Sequence, residues 1–209
     1  MPKRNAPEET TNTAGQKRRS AMVEAAYSLF TEKGYASVSV DEIIRVSRGS
    51  KSSLYKYFGS KEGILKAVVE SLAEQMLREI RFEFHSGRTP RESLRRIGMV
   101  LIDLALSDKA IHQYRHSVSH AKAFPDVAKL WFESGPQTTL DGIAAYLEKE
   151  TAAGRLRVDD PARAARLFGG MILFYDNMRR SVGLPPLKGP EQRRMVSEAV
   201  EIFLAAYGT

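Results

Sequence analysis

Apolar residues recur at helical spacing almost without interruption from Gln16 to Tyr207, and strand-like alternation is confined to the short stretch Ala36–Val40. A stripe repeating every three or four residues can be buried only against another helix, so the chain is bound to an all-α fold. Gln16–Lys33 carries the stripe Met22, Ala25, Ala26, Leu29 and Phe30, and Gly34 stops it. Ser39 to Glu42 reads as a capping box opening a short helix with Ile43, Ile44 and Val46. Arg48-Gly49-Ser50 is a turn, and Lys51–Phe58 is a compact third helix. Ser60 caps a long helix in which Ile64, Val68, Leu72, Met76 and Ile80 recur every four residues, with its end near His85–Gly87. Helices follow over about Arg91–Ser107, Lys109–Ala121, Pro125–Glu133, Thr138–Ala153, Pro161–Val182 and Pro190–Tyr207. Asp160-Pro161 and Gly189-Pro190 mark the last two N-termini. The expected total is about nine or ten helices.

Of the net charge of +7, residues 1–66 carry +5 and residues 67–209 only +2. Such asymmetry points to a polyanion at the N-terminal end, nucleic acid or an acidic membrane surface, or else to a solvated basic face. No apolar stretch approaches the roughly 20 residues that span a bilayer, and the polar start lacks the apolar core of a secretory signal. No membrane is expected as a partner. The absence of cysteine excludes a disulfide scaffold and thiolate chemistry, and it is compatible with a cytoplasmic location.

Residues 1–15 have almost nothing to bury and read as a disordered basic tail. Residues 16–66 hold three short helices, the last two joined by a tight turn, which is the pattern of a helix-turn-helix; in it the second helix of the pair enters the major groove. Leu54 and Phe58, four apart, can anchor that helix. Lys51, Ser52, Ser53, Tyr55, Lys56 and Tyr57 then remain to meet phosphates and bases. Lys61 sits in the first turn of the next helix, where its ammonium and the free amides suit a phosphate. Lys3, Arg4, Lys17, Arg18 and Arg19 add a basic arm that could track the DNA backbone.

Residues 17–66 resemble the DNA-binding domain of the TetR/AcrR family of bacterial transcriptional regulators, through AAYSLFTEKGYASVSVDEI (25–43) and SKSSLYKYFGSKEGIL (50–65). The resemblance implies DNA contacts from Lys51, Ser52, Ser53, Tyr55, Tyr57 and Lys61, and a phosphate contact near Ser39. The turn departs from the family, which has Gly-Val where this chain has Arg48-Gly49. Either Gly49 supplies the positive φ, or Arg48 bears the strain; a further reading makes Arg48 an extra phosphate ligand.

Residues 67–209 are expected to form a helical regulatory and dimerisation domain. They contain no nucleotide loop, no Ser/His/Asp pattern and no H-E-x-x-H, so no enzyme and no cofactor is expected. They resemble an AefR-like C-terminal domain through residues 114–136, 154–170 and 198–207. That resemblance implies dimerisation and, in many relatives, a small effector. The last helix is apolar on two faces, Met195/Ala199/Ile202/Ala206 and Val196/Val200/Phe203/Tyr207; one face serves the core and the second needs a partner. Gly169-Gly170 permits close approach of another backbone. A homodimer through helices 161–182 and 190–207 follows, with twofold symmetry suited to a palindromic operator of double-stranded DNA.

A small apolar or amphipathic effector would find aromatic and polar groups in His116, His120, Phe124, Trp131, Phe168, Met171 and Tyr175, although residues of these types equally build cores. His112, His116 and His120 lie near one helix face, but the outer two are ~12 Å apart along the axis, so at most two could share an ion. The leading reading is a DNA-binding repressor released by an effector. Its alternatives are a regulator without an effector, and a metal-binding enzyme or sensor using the three histidines, which leaves the motif at 50–65 without a role.

Overall fold

The computed structural model describes residues 14–83 and 86–209; Lys3, Arg4, His85 and the side chains of Leu72, Met76 and Ile80 lie outside what is described. Its elements are α1 (Ala14–Lys33), α2 (Val40–Ser47), α3 (Lys51–Phe58), α4 (Lys61–Glu83), α5 (Pro90–Ala105), α6 (Asp108–His120), α7 (Pro125–Phe132), a π-helical turn (Glu133–Gln137), α8 (Thr138–Ala152), α9 (Pro161–Ser181) and α10 (Gly189–Tyr207). The all-α expectation holds: among the described residues the only β-type pairing is one isolated bridge, Leu156 with Gly208. Ala36–Val40 forms no strand; Ala36–Ser39 lead into α2, and Val40 is its first residue.

Two compact units divide after Val68. In the first, α1 packs on α2 and α3, and the stripe Met22, Ala25, Ala26, Leu29 and Phe30 is buried together with Ile43, Leu54 and Ile64. Phe30 meets Tyr35 with ring centroids 5.2 Å apart. Ser39 Oγ accepts from Glu42 N at 3.1 Å and so caps α2. Lys33 draws the Glu42 carboxylate to 2.5 Å and, as the leading cause, holds that carboxyl below its usual range.

In the second unit α5, α8, α9 and α10 enclose the core, with Phe168 and Phe203 edge to face at 5.3 Å and Tyr146 fully buried beside the aliphatic residues. Two glycines make this packing close. A Cβ on Gly98 would meet Val196 Cγ1 at 2.7 Å and Ile172 Cδ1 at 3.0 Å, and one on Gly169 would meet Leu140 Cδ2 at 3.3 Å. Gly169 therefore admits α8 of the same chain, while Gly170 faces open space. Buried Glu150 is held bidentately by Arg155 at 2.6 and 2.9 Å, and buried Glu83 by Arg88 at 2.7 and 2.9 Å, so neither charge is left uncompensated.

The chain from α6 to the π-helical turn is built differently. Ile111 is the one buried residue of α6, and α7 has none. The π-helical turn contains Pro136, and the Thr138 and Thr139 hydroxyls donate to the carbonyls of Glu133 (2.8 Å) and Gly135 (3.1 Å). Those two hydroxyls satisfy carbonyls near the proline, which has no N–H to give.

Candidate nucleic-acid interface

The α2–α3 pair begins with its cap. Ser50 is extended (φ −127°, ψ 154°), and its Oγ accepts from Ser53 N at 3.2 Å, which starts α3 directly after the turn. Ser50 Oγ also donates to Ser53 Oγ at 2.9 Å and lies 3.1 Å from Ser52 Oγ, so three hydroxyls cluster at one helix end. Leu54 is fully buried and fixes the helix against the unit's core. Lys51, Ser52, Tyr55 and Lys56 are exposed, while Ser53, Tyr57 and Phe58 are half-buried. Tyr57 stands edge-on to Phe58 at 6.1 Å, and the Arg19 guanidinium lies 5.3 Å from the same Phe58 ring.

Two of the expected DNA ligands already have partners within the fold. Lys51 Nζ is 3.2 Å from Asp41 in α2. Lys61 Nζ lies 4.3 Å from the Tyr35 ring centroid and donates to the Ala36 carbonyl at 3.4 Å. Burial lowers the Lys61 pKa, with the Glu62 charge opposing. Tyr35 OH donates to Glu62 at 2.9 Å; burial above all, then this bond, pushes its phenol well above its ordinary value. Glu62 is held low by its own backbone N–H, then by Ser60 and Tyr35. The sequence identified Lys61 but not its aromatic seat, because Tyr35 lies in a loop 26 positions earlier. Ser39 is exposed; its oxygen is engaged with Glu42 N, which leaves the hydroxyl hydrogen free to donate.

The turn settles one open alternative. Arg48, not Gly49, takes the left-handed conformation (φ 53°, ψ 34°), and its N–H donates to Ile44 O. Gly49 sits close to α1 instead: a Cβ there would fall 2.3 Å from Met22 Cε, so that terminal methyl would have to move.

The seven candidate effector residues sit in different settings. His116 and His120 stack at 4.2 Å with their planes 13° apart, and Phe124 continues the stack 6.5 Å from His120. His120 Nδ1 lies 3.0 Å from the His116 carbonyl and 2.8 Å from Ser119 Oγ. Trp131 instead pairs with Tyr114 at 6.0 Å. Phe168 has no exposed surface and belongs to the core; Met171 is half-buried and Tyr175 exposed on α9. No three His, Asp or Glu side chains converge to hold a metal among the described residues, and none of their helices is long and apolar enough to cross a membrane.

A second surface lies on α9, where Leu167, Phe174 and Met178 are exposed at helical spacing, with exposed Val182 at the C-cap; on α10, Ile202 is 61% exposed. Of the two apolar faces on α10, Val196, Val200 and Phe203 are buried, whereas Ile202 and Ala206 are not.

Residues 22–68 match the family of bacterial regulatory proteins described as the tetR family, and residues 92–209 match the AefR-like transcriptional repressor C-terminal domain. The chain is 29% identical over 184 residues to the HTH-type transcriptional repressor Rv3405c of Mycobacterium tuberculosis, covering 88% of this chain and 87% of that one. Its fold superposes on a TetR-family transcriptional regulator from Mesorhizobium loti with a TM-score of 0.81, at 26% identity over 94% of this chain and 100% of the other. The flavonoid-responsive regulator FrrA is similar with a TM-score of 0.74, at 27% identity over 92% and 97% of the two chains.

Proposed function

The chain belongs to the TetR family of bacterial regulatory proteins, and from that membership we propose that it is a homodimeric repressor that binds a palindromic operator and leaves it when a small apolar or amphipathic effector binds. As a family member it is a DNA-binding transcriptional regulator and not an enzyme. The observation that carries the finer reading is α3 itself: Leu54 is buried beneath it, while Lys51, Ser52, Tyr55 and Lys56 face water. A helix anchored on one side and covered with amines, hydroxyls and phenols on the other suits a phosphate-lined groove. Ser53, Tyr57, Lys61 and Ser39 join it as contacts to bases and backbone. Residues 16–66 read DNA in this proposal, residues 67–209 dimerise and sense, and the protein works in the cytoplasm, where its operator lies.

The exposed stripe on α9 with Ile202 of α10 supports dimerisation, since an apolar surface of this kind gains free energy when covered by its symmetry mate. The thin packing of α6 and α7, around the His116–His120–Phe124 stack and the Tyr114–Trp131 pair, supports entry of an effector there. The likeness to a flavonoid-responsive regulator makes a flavonoid the first effector to try. Release follows by linkage: an effector that prefers the conformation with mis-spaced reading helices lowers operator affinity by the same factor by which DNA lowers effector affinity. In vitro selection of bound DNA, followed by titration of the selected duplex with flavonoids, tests both parts. A palindromic consensus is expected, and an effector that weakens binding to it. No sequence preference overturns the DNA reading, and saturation by an effector at constant operator affinity overturns the release mechanism.

A further inference from the structure

Among the described residues, positive φ occurs at five glycines and at one other residue, Arg48. In that conformation a Cβ crowds the backbone, which is why glycine is the usual occupant. Here the glycine stands one place later, at 49, where φ is not positive and a Cβ would press on the Met22 terminal methyl. Exchanging the two residues would not be neutral, because a side chain at 49 would have to displace the terminal methyl of Met22. Glycine at 48, however, would keep the Arg48 N–H bond to Ile44 O and remove the strain. The fold alone therefore gives no reason for arginine.

The side chain also does nothing visible for the fold. Arg48 is exposed and has no carboxylate partner among the described residues. Its neighbours differ: Lys33 and Arg45 share Glu42 at 2.5 and 3.9 Å, and Lys51 takes Asp41 at 3.2 Å. Arg48 is thus a cation without an acid, two residues before the Ser50 cap of α3. Its guanidinium offers a planar fork of donors suited to two phosphate oxygens. Strained backbone persists where the surroundings or a function hold it.

We infer that Arg48 is a ligand for a DNA backbone phosphate at the entry of α3, and that its left-handed backbone is retained for this contact. The inference rests on the reading of α3 as the DNA-reading helix. It is tested with the full chain, using Arg48→Gly, Arg48→Asn and Arg48→Lys, on the selected operator and on unrelated duplex DNA over a range of salt. Glycine and asparagine both accept the left-handed backbone, so the unfolding midpoint is expected to hold or rise for both. Affinity is expected to fall roughly tenfold per contact on both DNAs, and the salt slope to shrink by about 0.9 per phosphate released. Arg48→Lys keeps the slope and binds with intermediate affinity. Wild-type affinity and slope in the glycine and asparagine variants overturn the inference. So does a loss confined to the operator with an unchanged slope, which would mean a base contact, and so does a fall in both midpoints, which would mean a structural role. If the wild-type chain itself shows no DNA binding, the reading of α3 fails and not merely the role of Arg48.

Discussion

The two units leave opposite chemistries on their surfaces. In residues 14–68 the large apolar side chains turn inward, and the main exceptions are Val46 and Tyr55. In residues 86–209 a core closed by four helices still leaves Leu167, Phe174 and Met178 exposed along α9, Val182 at its C-cap, and Phe124 and Phe132 around α7. Hydroxyls and amines remain well solvated until a polyanion replaces the water. An apolar stripe is unfavourable in water until a like surface covers it. What each unit leaves uncovered therefore indicates the kind of partner it takes. The largest expected effect breaks that comparison on its apolar side. Phe174→Asp places a carboxylate in the middle of the α9 stripe, and sedimentation should report a monomer. Operator affinity should fall about a hundredfold or more, since two half-sites are then no longer bound by one linked molecule. A variant that remains dimeric on the operator would show that the stripe is not the interface.

On the polar side the effects are smaller. Tyr57→Ala should weaken operator binding by about 1–3 kcal/mol if the phenol meets DNA. Because Tyr57 also covers Phe58, Tyr57→Phe separates the two roles: it keeps the ring contact and removes only the hydroxyl. A loss shared by both variants assigns the hydroxyl to DNA; full affinity in both removes Tyr57 from the interface. Lys61→Ala should cost less and cost it on every sequence, with the salt slope reduced by about 0.9 per contact. Lys61 already rests on Tyr35 and the Ala36 carbonyl, so its gain from a phosphate is a difference between two favourable positions. An unchanged slope would mean that the ammonium stays with Tyr35.

Most helices were legible because their stripes and caps are local. Ser39, Ser50 and Ser60 each accept from the N–H three residues on, as hydroxyl residues before apolar runs suggest. Another such signal passed unread: Thr89-Pro90-Arg91-Glu92 forms a complete capping box and starts α5 at Pro90. The failures lie where distant residues decide. Neither the left-handed backbone at Arg48 nor the approach of Met22, more than 20 positions earlier, to residue 49 is visible in the local sequence. Gly135-Pro136 reads locally as a break, yet the helix continues as a π turn whose Gly135 would bring a Cβ to 3.1 Å from Val69 Cγ1. Candidate DNA residues were legible as types, but their ion pairs within the fold were not. Helical spacing likewise cannot say that Phe168 packs on Phe203 in the core while Tyr175 is exposed.

The smallest effect sharpens the comparison through pH. All four histidines lie between positions 85 and 120, so residues 14–68 contain none. His116 has its pKa lowered from 6.5, chiefly by burial and then by the nearby His120 and His112. Its folded form therefore binds a proton less readily than the unfolded chain does. The stability it contributes is fully present above about pH 6.5 and is lost as pH falls through the lower folded value. Glu42, Glu62, Glu92 and Glu201 are also lowered, but from 4.5, so their contribution is lost only in more acidic solution. Trp131 is the single tryptophan and lies in the second unit, against Tyr114, so its fluorescence follows that unit. Between about pH 7.5 and about pH 5 the unfolding midpoint reported by Trp131 should drop, and His116→Gln should flatten the drop. A drop that survives the substitution would move the acid sensitivity away from the stacked histidines and leave the loosely packed α6–α7 segment without a pH signature of its own.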